Sequence, residues 1–491
     1  MNITIAFSLV VIMCISMLSL AAEANTGLII GKKATVDGSI VIARNEDYKV
    51  NNWNKYQVYR PKVTTTKKQW LLGNGLVVPM PPILYAYSAM PDWNAATLAH
   101  EGKNFEERGI NQFNVAVSAT TSVDINQRAL AADPLVKNGV IEANIPTLVL
   151  PQAKTAKQGV ELLGRYIEQY GAGEGNSLYI ADINQAWLME IGSGHHWIAV
   201  KVPDDSYAML ANGLRIHGIN LHSKNVLHSK GLFEFVQQHK LLARPQQADF
   251  NFAKAFGVIG DTSNIDREWL GQQILSRSVG QQVRQQQYPL FMKPDSKISL
   301  SNVVSVLSAT YENTALAHSG DRPIRVDRQI ESHIIQLRPN MPAPFQGVIW
   351  QSYGILSESI LIPLYATLHD FPAAYKTGTD EYSDDSAYWQ FRSLTTLATT
   401  HPIKYLSFIN NNWQRAQHKI YQTFANTDKR LISLYQQDPT AAVKVSVDYS
   451  TRQLNQMLML AKKMRYRIMT DLTKSTENGY SSSNYMNIIS L

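Results

Sequence analysis

Cysteine is almost absent from this chain. The 491 residues contain one, Cys14, and it lies in an apolar segment at the start, so residues 25–491 contain none. This absence excludes disulfide bonds, a thiolate nucleophile and cysteine-ligated zinc from everything after residue 24. Glycine and proline, at 27 and 20, are too few for a collagen-like or low-complexity protein. Because 45% of the residues are apolar, we expect a folded protein with a large core that needs no disulfides.

Long apolar runs are also scarce, and the only one occupies the start of the chain. Residues 1–20 are uncharged and strongly apolar, and Ala22 and Ala24 fit the small-residue positions of a signal-peptide cleavage site. We predict a signal peptide over residues 1–24, cleavage before Asn25, and export to the periplasm or the medium. An uncleaved anchor is the alternative, because no Lys or Arg precedes the run.

Motifs for cofactors and metals are missing. There is no Walker-type phosphate loop and no G-x-S-x-G elbow. The twelve histidines are scattered, and adjacent His195 and His196 would point to opposite faces of a strand. We therefore expect no cofactor and no metal. The 46 basic and 39 acidic residues form no dense run, which favours a solvated surface over a nucleic-acid or membrane partner.

The segment after the predicted cleavage site is typical of a buried β-hairpin. Leu28–Ile30 and Ile40–Ala43 are continuous apolar runs that flank the turn signal Asp37-Gly38. Cleavage would place a free α-amino group, with a pKa of about 7.7–8.0, at the start of a buried strand. Such an amine can serve as the general base for a nucleophile on its own residue. Arg44 and Asp47, three residues apart, are suited to support the nucleophile and orient the amine, and a structural ion pair is the alternative.

The rest of the chain predicts one α+β domain over residues 25–475, with a helical C-terminal third and a flexible tail over 476–491. Helical spacing marks residues 155–170, and GAGEGN ends that helix as a connector. Strand-like runs follow at 177–182, 186–191 and 197–202, and another covers 333–338. The last helix is predicted to bury one face, formed by Leu454, Leu458, Ala461, Met464, Ile468 and Leu472.

Several blocks together carry a family resemblance. GLIIGKKATVDGSIVIARNED (27–47), GINQFNVAVSATTS (109–122), the run 179–205 and RPIRVDRQIESHIIQLRPNMP (322–342) occur in order. In these blocks the chain resembles dipeptidases of the N-terminal-nucleophile (Ntn) hydrolase superfamily, relatives of choloylglycine hydrolases and penicillin V acylases. The resemblance implies a four-layer αββα sandwich and hydrolysis of dipeptides by an N-terminal cysteine.

The resemblance also implies a set of site residues. The family's Arg-x-x-Asp pair falls on Arg44 and Asp47, and a polar oxyanion partner falls on Asn212. An arginine of the wider superfamily falls on Arg277, and Thr121 stands where the bile-salt relatives have a second oxyanion asparagine.

The sequence departs from the family at the nucleophile itself. The cysteine position, six residues before Gly31, holds Asn25, and a carboxamide offers no nucleophile at neutral pH. Three interpretations stay open. The protein is a catalytically silent relative that binds dipeptides or similar small amine ligands; or Thr26 is the nucleophile after further trimming; or the fold is only the scaffold of an exported surface protein.

Overall fold

The computed structural model describes residues 25–47, 54–93, 106–379 and 381–477. These residues form a mixed α/β structure with two large antiparallel sheets and a helical C-terminal part. The strands are β1 Thr26–Ile30, β2 Ile40–Asp47, β3 Asn54–Lys55, β4 Val58–Arg60, β5 Val63–Thr64, β6 Gln69–Leu71, β7 Val77–Pro79, β8 Ile83–Leu84, β9 Tyr87–Trp93, β10 Glu106–Asn111, β11 Ala116–Ser122, β12 Asn176–Ala181, β13 Ala186–Ile191, β14 Trp197–Lys201, β15 Tyr207–Leu210, β16 Val226–His228, β17 Gln329–Leu337, β18 Gly347–Tyr353 and β19 Ile362–Tyr365. The α-helices are α1 Gln127–Ala132, α2 Ile145–Val149, α3 Ala156–Tyr170, α4 Leu232–Gln238, α5 Phe252–Phe256, α6 Thr262–Leu275, α7 Leu300–Leu307, α8 Ala387–Ala398, α9 Pro402–Gln437 and α10 Pro439–Glu477.

The six-stranded sheet has the order β15-β1-β2-β17-β18-β19. Strands β1 and β2 pair as the predicted hairpin, with Thr26 opposite Asn45 and Gly27 opposite Arg44. Every residue of both strands is buried, because helices α6 and α7 contact this sheet on one side and the nine-stranded sheet contacts it on the other. Burial on both faces explains why the apolar runs are continuous rather than alternating.

The nine-stranded sheet has the order β16-β14-β13-β12-β11-β10-β9-β3, with β4 also paired to β9. Helices α2 and α3 pack against it. The predicted helix is confirmed: the Thr155 side chain caps α3, and Gly171, with a φ of 78°, ends it. The predicted strands of this sheet are confirmed to within one residue at each end.

The C-terminal helices α9 and α10 form a long antiparallel hairpin joined through Asp438. The predicted face of α10 is confirmed for five of its six residues, since Leu454, Leu458, Ala461, Met464 and Ile468 are buried. The sixth, Leu472, is half-buried against the core. Helix α10 continues to Glu477, two residues into the predicted tail. The predicted signal peptide and residues 478–491 lie outside the described residues. Among the described residues, no helix combines the length and apolarity that a membrane crossing requires.

Candidate active site

Asn25 lies immediately before β1 and is buried, with 1% of its surface exposed. Its side-chain Oδ1 accepts a hydrogen bond from the backbone N–H of Asp47 at 3.2 Å. This contact links residue 25 to the end of β2, where the sequence predicts that the carboxylate of Asp47 orients the α-amino group.

Arg267, a buried arginine on helix α6, contacts residues 25 and 26 and also contacts Asn212. Its Nη1 donates to the backbone oxygen of Asn25 at 2.8 Å and to Thr26 Oγ1 at 2.9 Å. Its Nη2 donates to Asn212 Oδ1 at 3.0 Å and to Asn264 Oδ1 at 2.7 Å. One guanidinium therefore ties the first residues of β1 to the predicted oxyanion residue.

Asn212 is held in this cluster from two sides. Its backbone N–H donates to Asn264 Oδ1 at 2.9 Å, and its Nδ2 donates to the backbone oxygen of Ser122 at 3.1 Å. Thr121 precedes Ser122 in β11, but its side chain lies outside the part of the structure that is described.

Arg44 and Asp47 do not share one set of partners. Asp47 is fully buried and pairs with Arg322 at 3.0 Å and Arg328 at 2.9 Å. Arg44 reaches towards the nine-stranded sheet, and its carboxylate contacts are Glu46 at 2.9 Å, Glu107 at 3.3 Å and Glu142 at 3.3 Å. The two residues therefore belong to two different groups of ion pairs at the end of β2.

Burial and neighbouring charge act differently on the two site arginines. Burial alone would lower the pKa of Arg44, but Glu46, Glu107 and Glu142 outweigh it and raise that pKa above its ordinary value. Burial lowers the pKa of Arg267 to about 9, with repulsion from Arg322 adding to the effect and attraction by Asp47 opposing it. Arg267 is therefore a cation held at an energetic cost, mainly by neutral acceptors.

Buried carboxylates close to Arg44 surround a lysine. Glu46, Asp92 and Glu107 bring oxygen atoms near enough to one another to hold a cation. The Lys55 ammonium contacts both Glu46 and Asp92, so a side chain of the protein supplies the positive charge there. Burial raises the pKa of Glu46 to about 8, against the attraction of Lys55.

A serine, a histidine and a glutamate lie in hydrogen-bonded order between the sheets. Ser118 Oγ is 2.9 Å from His333 Nε2, and His333 Nδ1 is 2.8 Å from Glu331 Oε1. All three are fully buried. Burial lowers the pKa of His333 to about 4 despite the attraction of Glu331, so the ring is neutral near pH 7. The order matches the polar relay of serine hydrolases, although sequence reasoning did not identify it.

Tyr179 places a polar atom against β1. Its hydroxyl is buried and has no hydrogen-bond partner among the described residues. A Cβ on Gly27 would lie 2.8 Å from that hydroxyl oxygen, so glycine is needed for this approach. An unpaired buried hydroxyl is costly in the free protein and gains most from a polar ligand.

Arg277, the sequence candidate for the second arginine, lies elsewhere. It is exposed at the start of the short 3₁₀ helix Arg277–Val279. The arginine that contacts Asn25 and Asn212 is Arg267, ten residues earlier. No short motif in the sequence marks Arg267, because the burial of the polar residues around it on α6 becomes visible only in the structure. These residues are Asn264, Asp266, Glu268 and Gln272.

Comparisons with known proteins identify the family of this chain. Residues 24–416 match the family model described as Peptidase family C69. A "Probable dipeptidase" of Latilactobacillus sakei is 34% identical over 393 residues, covering 77% of this chain and 82% of the relative. "Probable dipeptidase B" of Lactococcus lactis subsp. lactis (strain IL1403) is 30% identical over 420 residues, covering 82% and 87%. The chain therefore belongs to peptidase family C69, a cysteine peptidase family of the Ntn type.

Proposed function

We propose that this chain is an exported dipeptidase-family protein that binds dipeptides or similar small amine ligands without cleaving them. The observation that carries the proposal is Asn25: the residue at the head of β1, beside Asp47 and Arg267, is an amide. Peptide hydrolysis by this family's chemistry needs a nucleophile there. Loss of a principal nucleophile lowers turnover by about a millionfold in a well-studied serine protease.

The proposal includes the four-layer αββα arrangement of Ntn hydrolases. It is supported by helices α6 and α7 against the six-stranded sheet and by helices α2 and α3 against the nine-stranded sheet. The two sheets contact each other through β1 and β2 on one side and β11, β12 and β13 on the other. Asn25 then lies at the edge of the space between the sheets.

The charges around Asn25 suit a zwitterionic ligand. A dipeptide carries an ammonium group and a carboxylate, and ionisable groups of both types lie close to β1 and β2. Arg322 and Arg328 beside Asp47 are suited to the carboxylate of the ligand. The carboxyl oxygens of Glu46 and Glu107 can accept hydrogen bonds from its ammonium group even while burial keeps these two groups protonated. The Tyr179 hydroxyl supplies a donor for a peptide oxygen.

Hydrolysis by Thr26 is the second candidate function, and one contact favours it. Thr26 Oγ1 accepts a hydrogen bond from Arg267 at 2.9 Å, and a nearby cation favours the ionised form of a hydroxyl. Trimming of Asn25 would give Thr26 a free amine of its own. However, its side chain contacts helix α6, whereas Arg44 on the opposite strand reaches the other sheet. The proposal of binding without cleavage therefore accounts for more of the contacts in the site.

The test compares wild type with Asn25→Cys on a panel of dipeptides. Mass spectrometry first establishes that each protein begins at residue 25, which also tests the predicted leader cleavage. We expect wild type to bind dipeptides without turnover and Asn25→Cys to gain hydrolysis by several orders of magnitude. Hydrolysis by wild type that begins at Asn25, or no gain by a correctly processed Asn25→Cys, would contradict the proposal.

Thr26→Ala in the wild-type background separates the two candidates. If Thr26 is the nucleophile, mature protein begins at residue 26 and Thr26→Ala removes all hydrolysis. If the site is silent, wild type and Thr26→Ala both show binding alone.

A further inference from the structure

The positive charge of this protein is concentrated on the C-terminal helical hairpin. Residues 402–477 contain twelve Lys and Arg against five Asp and Glu, a net charge of +7. The complete chain of 491 residues also has a net charge of +7. The absence of a dense basic run in the sequence concealed this, because the cations are spaced along two helices that fold together.

A groove lies between the two helices of this hairpin. It has a volume of about 500 Å³, within the range of small-molecule sites. The floor of the groove is buried and largely apolar, formed by Ala416, Ile420, Tyr449, Met457 and Leu460. The rim of the groove is exposed and carries four cations, Lys419, Arg430, Arg452 and Lys463.

The rim cations differ from other basic residues of the hairpin. Within the described parts of the chain, no Asp or Glu lines the groove, and none of the four cations has an ion-pair partner. By contrast, Lys404 pairs with Asp471 and Lys444 pairs with Asp448. Four uncompensated cations around an apolar floor create a positive potential where apolar surface is also available.

We propose that this groove binds a single-chain anionic amphiphile of the fatty-acid class. The acyl chain lies along the floor of the groove, and the anionic head group lies between the rim cations. A second copy of the chain is a poor occupant, because two hairpins of net charge +7 repel each other. The groove is formed almost entirely by residues beyond the family match, which ends at residue 416, so the site is separate from the one at Asn25.

The first test is a calorimetric titration of the full mature protein with dodecanoate. The neutral analogue dodecanol measures how much of the affinity depends on the head-group charge. We expect dodecanoate to bind at one site at least tenfold more tightly than dodecanol. Shortening the acyl chain should weaken binding by up to about fourfold per methylene group removed, and added salt should weaken the binding of dodecanoate more than that of dodecanol.

Charge-matched double variants test the location. Arg452→Gln with Lys463→Gln removes two rim cations, and the control Lys444→Gln with Lys474→Gln removes two exposed cations of the same helix that do not line the groove. We expect the rim variant to weaken dodecanoate binding at least tenfold and the control to stay within twofold, with unchanged thermal midpoints in both.

Three outcomes would overturn the proposal. One is no binding of dodecanoate up to its solubility limit. Another is equal weakening by the rim and control variants, which would indicate attraction by net charge alone. The third is an acidic amphipathic peptide that binds the groove more tightly than dodecanoate does and loses affinity in the rim variant, which would assign the groove to a protein partner.

Discussion

Replacement of Arg267 by Met tests whether one buried guanidinium holds the start of β1 in place. Met fills most of the arginine's apolar volume, so lost hydrogen bonds rather than a cavity determine the effect. Arg267 donates to five acceptors, which are Asn25 O, Thr26 Oγ1, Asn212 Oδ1, Ser263 O and Asn264 Oδ1.

The magnitude follows from two opposing contributions. Hydrogen bonds to a charged group contribute about 1.5–3 kcal/mol each, so five give roughly 8–15 kcal/mol if they are additive. Burial opposes this, since it lowers the pKa of Arg267 to about 9 and so disfavours the charged form. Hydrogen bonds that share one guanidinium are not additive, so we expect Arg267→Met to lower the free energy of unfolding by about 4 kcal/mol, well below that sum.

Urea unfolding, followed by fluorescence of the nine tryptophans, measures this change. Arg277→Met is the matched control, because Arg277 is exposed and exposed substitutions usually change stability by less than about 0.5 kcal/mol. A loss below about 1 kcal/mol for Arg267→Met, or an equal loss for Arg277→Met, would refute the assignment of Arg267 as the arginine of the site.

Two further predictions concern polar groups outside the Arg267 cluster. Ser118→Ala should lower the unfolding free energy by about 1–3 kcal/mol, since His333 Nε2 loses its hydrogen-bond partner. Wild-type protein should not react with a fluorophosphonate probe. Labelling of wild type that Ser118→Ala abolishes would identify a serine nucleophile and contradict the proposal of binding without cleavage. Burial raises the pKa of Glu174 to about 7, and Glu142 adds to the shift. Its folded-state pKa exceeds the unfolded value, so its protonation stabilises the wild type below about pH 4.5 and that contribution is lost as pH rises through 7. The unfolding free energy of Glu174→Gln minus that of wild type should therefore increase by up to about 3 kcal/mol from pH 4.5 to pH 8, whereas a pH-independent difference would contradict the assigned shift.

Elements with local signals were predictable from the sequence. The hairpin β1–β2 is encoded by two apolar runs around Asp37-Gly38, and Gly38 takes a φ of 79° that favours glycine. Helix α3 was predictable because its apolar spacing, its Thr155 cap and its glycine stop are all local. The location of Asn25 beside Asp47 was also predictable, since a hairpin brings the start of one strand to the end of the next.

The other side chains of the site are assembled over long sequence separations, which no local pattern reports. Arg267 reaches Thr26 across 241 residues, and Ser118 reaches His333 across 215. The spacing of Arg44 and Asp47 correctly placed both residues on β2. It could not indicate that carboxylates from other elements contact Arg44 while arginines from a different segment contact Asp47. The family blocks led to the prediction of Asn212, which the structure shows in contact with Arg267, whereas α6 offers no short motif to distinguish Arg267 from Arg277.

The contacts around residue 25 explain how the frame of a cysteine peptidase tolerates an asparagine. Arg267 binds the backbone oxygen of residue 25 and the hydroxyl of Thr26, so this bond to residue 25 does not depend on which side chain residue 25 carries. The hydrogen bond from the Asp47 N–H to the carboxamide oxygen is one contact that a thiol would weaken, at a cost of about 1 kcal/mol. The exchange between Cys and Asn is therefore expected to cost little folding free energy, whereas the proposed loss of hydrolysis follows from the missing thiol. For the same reason Asn25→Cys is expected to fold, and its activity reports on the pocket rather than on stability.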